Sequence, residues 1–361
     1  MIKSTYDVVI IGAGPGGAFA AKRLRDHGFG GSVLLVDGSC GRAKTCGGLL
    51  SPDAQRLLAS YGLTLPNSVL SDPQIFAVET VDLKSGYKRL YQRSYLNMDR
   101  RRFDDWMLSM VPDSVDKASA RCTDIKKSGN GYEIYLISEG ERQTVRASWV
   151  VGADGGGSIV RRKLFASEKR ISKYVSIQQH FPGSAGVFPP YACVFDPETS
   201  DSCSWLISKD GRTIFGGAFP KKNCRALFEK QKKRLCGFYG AELGEPVLTE
   251  ACLLCSPRRA GDILTGNGGA YLIGEAAGFI SPSSFEGISC AIFSGDALAQ
   301  AFARGGNDDE TRRAYASLTS SLKHKITLKT AKRGILFSPF WRGMIMKSGI
   351  TSVSPKGSGK T

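Results

Sequence analysis

Gly12-Ala13-Gly14-Pro15-Gly16-Gly17 constrains this 361-residue chain more than any other feature. It follows the apolar run Val8-Val9-Ile10-Ile11, which reads as a buried parallel strand, and opens Ala18-Phe19-Ala20-Ala21-Lys22-Arg23-Leu24, which reads as a helix. A second apolar strand, Val33-Leu34-Leu35-Val36, ends at Asp37, twenty residues past Gly17. Strand, glycine turn, helix and acidic residue at that distance form a dinucleotide-binding fingerprint on a βαβ unit. Gly12 permits the tight turn, Gly14 admits a pyrophosphate to the backbone, and Gly17 lets the helix pack close to the strand. The helix N-terminus offers free N–H groups and positive dipole to the phosphates. The Asp37 carboxylate is placed to accept from ribose hydroxyls.

The length suggests two domains, interleaved in sequence. With 42% hydrophobic and 23% charged residues, the composition is that of a globular protein. The N-terminus runs straight into the first strand, so no secretory signal is expected, and no uninterrupted apolar run approaches the ~20 residues of a membrane span. The ten cysteines therefore read as free thiols in a reducing cytoplasm. No metal site is expected: Cys252-Leu253-Leu254-Cys255 has no second pair, only three histidines are present, and strand or core packing explains the two thiols.

Two further patches repeat the logic of the first. Val150-Val151-Gly152-Ala153-Asp154-Gly155 carries a strand into a carboxylate and a glycine turn. Tyr271-Leu272-Ile273-Gly274-Glu275-Ala276-Ala277-Gly278, followed by Pro282 and Gly287-Ile288, does so again before a helix. Each alone is also an ordinary strand–turn–helix connection. In this order they resemble the para-hydroxybenzoate-hydroxylase-type FAD superfamily and, within it, the geranylgeranyl-reductase-like branch. A closer resemblance, to a bacterial flavoprotein group, covers nearly the whole chain, including Thr45-Cys46-Gly47-Gly48-Leu49-Leu50-Ser51-Pro52, Tyr91-Gln92-Arg93-Ser94-Tyr95 and Ser204-Trp205-Leu206-Ile207-Ser208-Lys209.

The resemblance implies an α/β fold in which a Rossmann-like FAD-binding domain (1–70, 96–165 and 263–310) interleaves with an α+β substrate domain built on an antiparallel sheet (71–95 and 166–262). A basic helical C-terminal segment, 311–361, follows. It implies FAD as cofactor. Gly12, Ala13, Gly14, Pro15 and Gly17 would hold the pyrophosphate and Asp37 the adenosine ribose. Arg100 and Asp154-Gly155 would lie beside the cofactor, and Pro282, Gly287 and Ile288 against the flavin ring. Glu275 stands where most relatives have Asp and bind the ribityl chain.

The flavin carries the hard chemistry, so neither a triad nor a metal is expected. Cys46, in a Cys-Gly-Gly segment that matches the reductases, is the sharpest catalytic candidate; the alternative is a small buried residue beside two glycines. Lys44 is expected among the cofactor-binding residues, and is also near enough in sequence to lower the Cys46 thiol pKa. Trp205 lines the substrate cavity or is a core tryptophan; its strand departs from the reductase pattern at Cys203 and Ser208. Tyr91, Tyr95, Tyr174, Phe181, Phe188 and Phe215 enrich the substrate side in apolar surface. The expected activity is reduction of C=C bonds in an apolar, isoprenoid-like molecule by hydride from flavin N5. The alternatives are a monooxygenase or halogenase acting on an aromatic through a C4a-hydroperoxide, and a flavoprotein that binds without turnover. NAD(P)H or another carrier would donate electrons, although no second fingerprint marks its site.

The net charge is +16, and eleven Lys and Arg lie in the last 51 residues, after the final acidic residue, Glu310. Aromatic and aliphatic residues interleave with these cations from Ile335 to Lys347. Such a segment suits peripheral docking on anionic lipid or, alternatively, a helix that caps the domain. Nucleic acid is not expected, because no recognised module accompanies the charge.

Overall fold

The computed structural model describes residues 2–38, 44–165, 171–183 and 188–353. The chain begins β1 (Thr5–Ile11), α1 (Pro15–Asp26), β2 (Val33–Asp37), β3 (Leu49–Leu50), α2 (Pro52–Ser60), β4 (Ile75–Asp82), β5 (Tyr87–Asn97) and α3 (Arg100–Ser109). Next come β6 (Asp116–Ser119), β7 (Arg121–Ser128), β8 (Gly131–Ser138), β9 (Glu141–Gly152) and α4 (Ile159–Leu164). Then follow β10 (Ser172–Pro182), β11 (Tyr191–Phe195), β12 (Cys203–Lys209), β13 (Arg212–Pro220), α5 (Cys224–Tyr239) and β14 (Leu248–Ser256). The chain closes with β15 (Gly266–Asn267), β16 (Ala270–Leu272), α6 (Gly274–Ala277), α7 (Ile288–Ala303), α8 (Asp308–Leu318), α9 (Ser320–Leu336), α10 (Pro339–Ser348) and β17 (Ser352–Val353).

The elements form two units. The first takes in the chain up to Lys44, Arg101–Lys173 and Leu254–Thr330; the second takes in Thr45–Arg100, Tyr174–Leu253 and the chain from Ala331. The first unit's sheet has the order β15-β16-β9-β1-β2-β6, with β7 and β8 branching from β9. β1 runs parallel to β2 and β9, β2 to β6, and β16 to β9. β1 is buried from Val8 onward, as a strand covered on both faces requires. β9 serves two pairings: its first half is the hairpin partner of β8, and its second half lies between β1 and β16.

The second unit's sheet has the order β14-β10-β13-β12-β11-β4-β5-β17, with β3 on β5. It is mixed rather than wholly antiparallel, because β11 runs parallel to β4. Ile177, Phe181, Leu206, Phe215 and Phe219 on one face pack with Phe228 and Leu235 of α5 in a single core. The strand alternation that sends them inward turns Gln178, His180, Trp205 and Ile207 to the other face.

Residues 45–70 and 96–100, read from sequence as part of the nucleotide-binding domain, group with the second unit. The cause is β-pairing: β3 adds to β5, and Met98 N–H donates to Gly48 O at 2.8 Å. Residues 171–173 and 254–262 group instead with the first unit, and the C-terminal segment divides at Thr330. Read from the sequence alone, Gly334 and Pro339 would break a helix that ends at about Ala331. α9 instead runs through Gly334 to Leu336, since one helical glycine costs only about 1 kcal/mol. Pro339 then starts α10 at the position where a missing N–H is harmless.

Candidate functional site

In the first unit the three glycine-containing patches meet at the carboxyl edge of the parallel sheet. Ile11 stands opposite both Val36 and Gly152, and Leu272 opposite Gly152. β1, β2, β9 and β16 therefore end level with one another, at the point where the chain's connections diverge to the two sides of β1, which is where open α/β sheets bind ligands. Gly12 has φ +108°, and a Cβ there would lie 2.6 Å from Ala153 O, so the first patch rests directly on the second. A Cβ on Gly17 would collide with Gly12 O, and one on Gly16 would lie 3.2 Å from Ala291 Cβ of α7, which seats α1 against the third patch's helix.

Gly14 is the N-cap of α1, and no side chain caps that helix. A Cβ on Gly14 would meet no protein atom within 4 Å. Ala13 and Pro15 flank it, and Asp37 closes β2. Asp154 accepts from Ile159 N–H through Oδ2 at 2.6 Å, while Oδ1 is buried without a partner among the described residues. Burial pushes its carboxyl above the usual range, against the donors from Ser158, Ile159 and Val160. An uncapped helix start beside bare glycine backbone, with an orphaned carboxylate oxygen at the same edge, fits a dinucleotide that brings phosphates and hydroxyl donors.

Glu275, in α6, is 7% exposed. Its Oε2 accepts from Lys44 Nζ at 2.5 Å and its Oε1 from Cys255 N–H at 2.8 Å. A Cβ on Gly155 would lie 3.6 Å from Lys44 Nζ and 3.8 Å from Glu275 Oε2, so Lys44, Gly155 and Glu275 converge on one point. Cys255 belongs to this cluster too: its Sγ lies 3.4 Å from Gly156 O, and burial together with Glu275 pushes its thiol up to about 12. The sequence offered Cys255 only as half of a CxxC. It is a strand residue in β14, and among the described residues no group of His, Cys, Asp and Glu is arranged for a metal. Pro282 is buried in the turn before α7, Gly287 is that helix's N-cap and Ile288 its first residue. Arg100 opens α3 as the last residue of its segment in the second unit.

The second unit brings Cys46 and Trp205 together. The Cys46-Gly47-Gly48 loop packs on β12: a Cβ on Gly47 would lie 2.6 Å from Ile207 Cδ1 and 3.5 Å from Trp205 Cδ1. The half-buried Cys46 Sγ accepts from Gly48 N–H at 3.4 Å. Trp205 lies across Gly216, where a Cβ would be 2.5 Å from its Nε1. That Nε1 donates to Gln178 Oε1 at 3.2 Å. Gln178 Nε2 lies 3.4 Å from Cys46 O and 3.3 Å from Glu250 Oε2, and His180 Nε2 lies 3.0 Å from Gln178 Nε2 and 3.2 Å from Glu250 Oε2.

Gln178, His180, Glu250 and Lys209 escaped the sequence reading. The one available signal was a pair of polar residues two apart, Gln178 and His180, within a strand otherwise rich in apolar residues. Lys209 Nζ donates to Gly48 O at 3.1 Å, Asn97 Oδ1 at 2.6 Å and Met98 O at 2.5 Å, which ties the loop to β5. Burial pushes its ammonium down to about 8, with Cys46 acting in the opposite direction. Lys44, expected to act on the Cys46 thiol, is instead paired with Glu275.

A profile of the lycopene cyclase protein family matches residues 7–233. Protein CbrA of Escherichia coli O9:H4 (strain HS) is 41% identical over 354 residues, covering 96% of this chain and 94% of its own. The chain belongs to the lycopene cyclase protein family and is CbrA-like. A geranylgeranyl bacteriochlorophyll reductase-like protein from Thermoplasma acidophilum superposes with a TM-score of 0.75 at 17% identity, covering 97% of this chain and 89% of that one. The flavin-dependent brominase Bmp2 does so with a TM-score of 0.66 at 20% identity, covering 95% and 92%. The fold is that of flavin-dependent oxidoreductases, monooxygenases and halogenases, the class that the sequence led us to expect.

Proposed function

We propose that this chain is an FAD-dependent oxidoreductase that reduces C=C bonds in an apolar, isoprenoid-like substrate. The observation that carries this reading is the seating of the Cys46-Gly47-Gly48 loop on β12, which sets Gly47 against Trp205 and Ile207 with the half-buried Cys46 next to it in the chain. The names of two relatives support the substrate class: lycopene and geranylgeranyl chains are both polyisoprenoid.

In this reading Gly12, Ala13, Gly14, Pro15 and Gly17 hold the diphosphate and Asp37 the adenosine ribose. Asp154, Gly155, Lys44 and Glu275 hold the middle of the cofactor. Arg100, Pro282, Gly287 and Ile288 serve its flavin end, where the α7 N-terminus favours negative charge. When bound and reduced, the flavin supplies a hydride equivalent. Cys46 supplies the matching proton to the substrate carbon. Trp205, braced by Gln178 and Gly216, walls the apolar cavity, and the Gln178–His180–Glu250 group holds the substrate's polar end. NAD(P)H or another electron donor would supply the reducing equivalents.

A second reading, oxygenation or halogenation of an aromatic, is supported by the fold shared with a p-nitrophenol 4-monooxygenase and a brominase. Single-turnover reactions of the reduced holoenzyme with a prenyl substrate, without and then with labelled dioxygen, separate the two. The first predicts a product heavier by two hydrogens and indifferent to oxygen; label in the product overturns it. Cys46→Ala is expected to keep flavin and lose roughly 100-fold or more in turnover. Unchanged turnover removes the thiol from the chemistry.

A further inference from the structure

We infer that α10 is an interfacial anchor that lies flat on an anionic lipid bilayer. The inference rests on this helix and its charges and is independent of the flavin reading. The helix faces the wrong way for one that merely caps a domain. Its central cation, Arg342, is turned inward at 3% exposure. Arg342 Nε donates to the buried Asp82 Oδ2 at 3.1 Å and Nη1 to Leu336 O at 3.0 Å, and its guanidinium sits 4.8 Å from the centre of the Phe195 ring. Met346, one turn on, is buried beside it on the helix.

The opposite side carries Phe340, Trp341, Met344 and Ile345, exposed by 66%, 51%, 53% and 46%. Spaced i, i+1, i+4 and i+5, they form one stripe. Ile350, exposed by 66%, follows directly after the helix. A contiguous apolar stripe in water marks a surface that meets something apolar.

The charge around it identifies what that is. Lys332 and Lys347, before and after the stripe in sequence, are both exposed, and no acidic residue follows Glu310 anywhere in the sequence, while eleven Lys and Arg do. Aromatic and long aliphatic side chains in a segment rich in cations and free of acidic residues suit the boundary between acyl chains and anionic headgroups. A protein surface would need a dense acidic rim to match. Among the described residues no helix is long and apolar enough to cross a membrane, so the geometry is one of lying on the bilayer.

Sedimentation of the full chain with unilamellar vesicles tests this. Vesicles of phosphatidylcholine with phosphatidylglycerol are expected to bind roughly tenfold or more tightly than phosphatidylcholine alone, with binding weakened by added salt. Replacing Phe340, Trp341, Met344 and Ile345 together by Gln is expected to abolish the preference while leaving the unfolding midpoint unchanged. As a gentler check, the tryptophan emission quenched by brominated lipid should fall sharply in Trp341→Phe. Absence of binding to the anionic vesicles, or equal binding by the Gln variant, overturns the inference. So does a concentration-dependent dimer, seen by light scattering and lost in the Gln variant, without vesicle binding; that result assigns the stripe to a second copy of this chain.

Discussion

The carboxyl edge of the first unit's sheet and the Trp205 face of the second unit's sheet are built by opposite means. The first is backbone against backbone: Gly12 on Ala153, and Gly17 on Gly12, leave no room even for a methyl group. The second is side chain against side chain, with Trp205, Gln178, His180 and Glu250 linked across three strands. Backbone crowding of this kind suits a group of constant shape, such as the diphosphate proposed to lie there. A side-chain network can be exchanged one residue at a time, as suits the part of an enzyme that meets its own substrate.

Substitutions should separate the two regions. The largest effect is expected at the buried Arg342–Asp82 ion pair of the second unit. Arg342→Leu strands the Asp82 carboxylate and should cost about 3–5 kcal/mol by denaturant unfolding. Asp82→Leu added to it should recover much of that loss, and a single variant with a wild-type midpoint would refute the buried pairing. Gly17→Ala comes next, at about 3 kcal/mol, with loss of flavin absorbance in the purified protein. Full flavin content would show that the crowded edge can yield, and the contrast between the regions would fail.

Lys209 gives a smaller and pH-dependent effect. Its folded pKa is about 8 against an ordinary 10.5, so between those values the unfolded state holds the extra proton. Stability should therefore gain up to about 1.4 kcal/mol per pH unit from this group as pH rises through that window. Below about pH 8 both states are charged and the cost of burial is constant. The difference in pH profile between wild type and Lys209→Met measures it, and parallel profiles would contradict the burial. The smallest effect is expected from Trp205→Phe, which leaves Gln178 Oε1 without its donor for about 1 kcal/mol and spares flavin content.

The parts legible in the sequence were those whose physics is local. Glycines at fixed offsets, a buried strand before them and a helix after them placed β1, α1, β2 and Asp37 correctly, and the strands ahead of Asp154 and Glu275 likewise. What the sequence hid depends on register between distant strands. Trp205 meets Gln178 only because β12 and β10 both pair with β13, and Glu250 reaches His180 only because β14 lies beside β10. The partner of Lys44 was hidden for the same reason: Glu275 is fixed by the end of a strand more than two hundred residues on. In α10 the pattern of cations and aromatics was visible, but not which of them faced inward. That was decided by Asp82, buried at the end of β4.

The double duty of β9 also orders events during synthesis. Thr5 of β1 pairs with Arg146, and β16 can join the sheet only through β9 at Val150–Gly152. A growing chain thus emerges with β1 bare on one side until Glu141–Gly152 has left the ribosome, and the nucleotide edge is complete only once Leu272 follows. The second sheet waits longer still, for Ser352 to pair with Tyr91. Long-range pairing of this kind makes folding slow and leaves strand edges unprotected in the meantime. A chain stalled or clipped before its last fifth would be a substrate for chaperones and proteases rather than a smaller working enzyme.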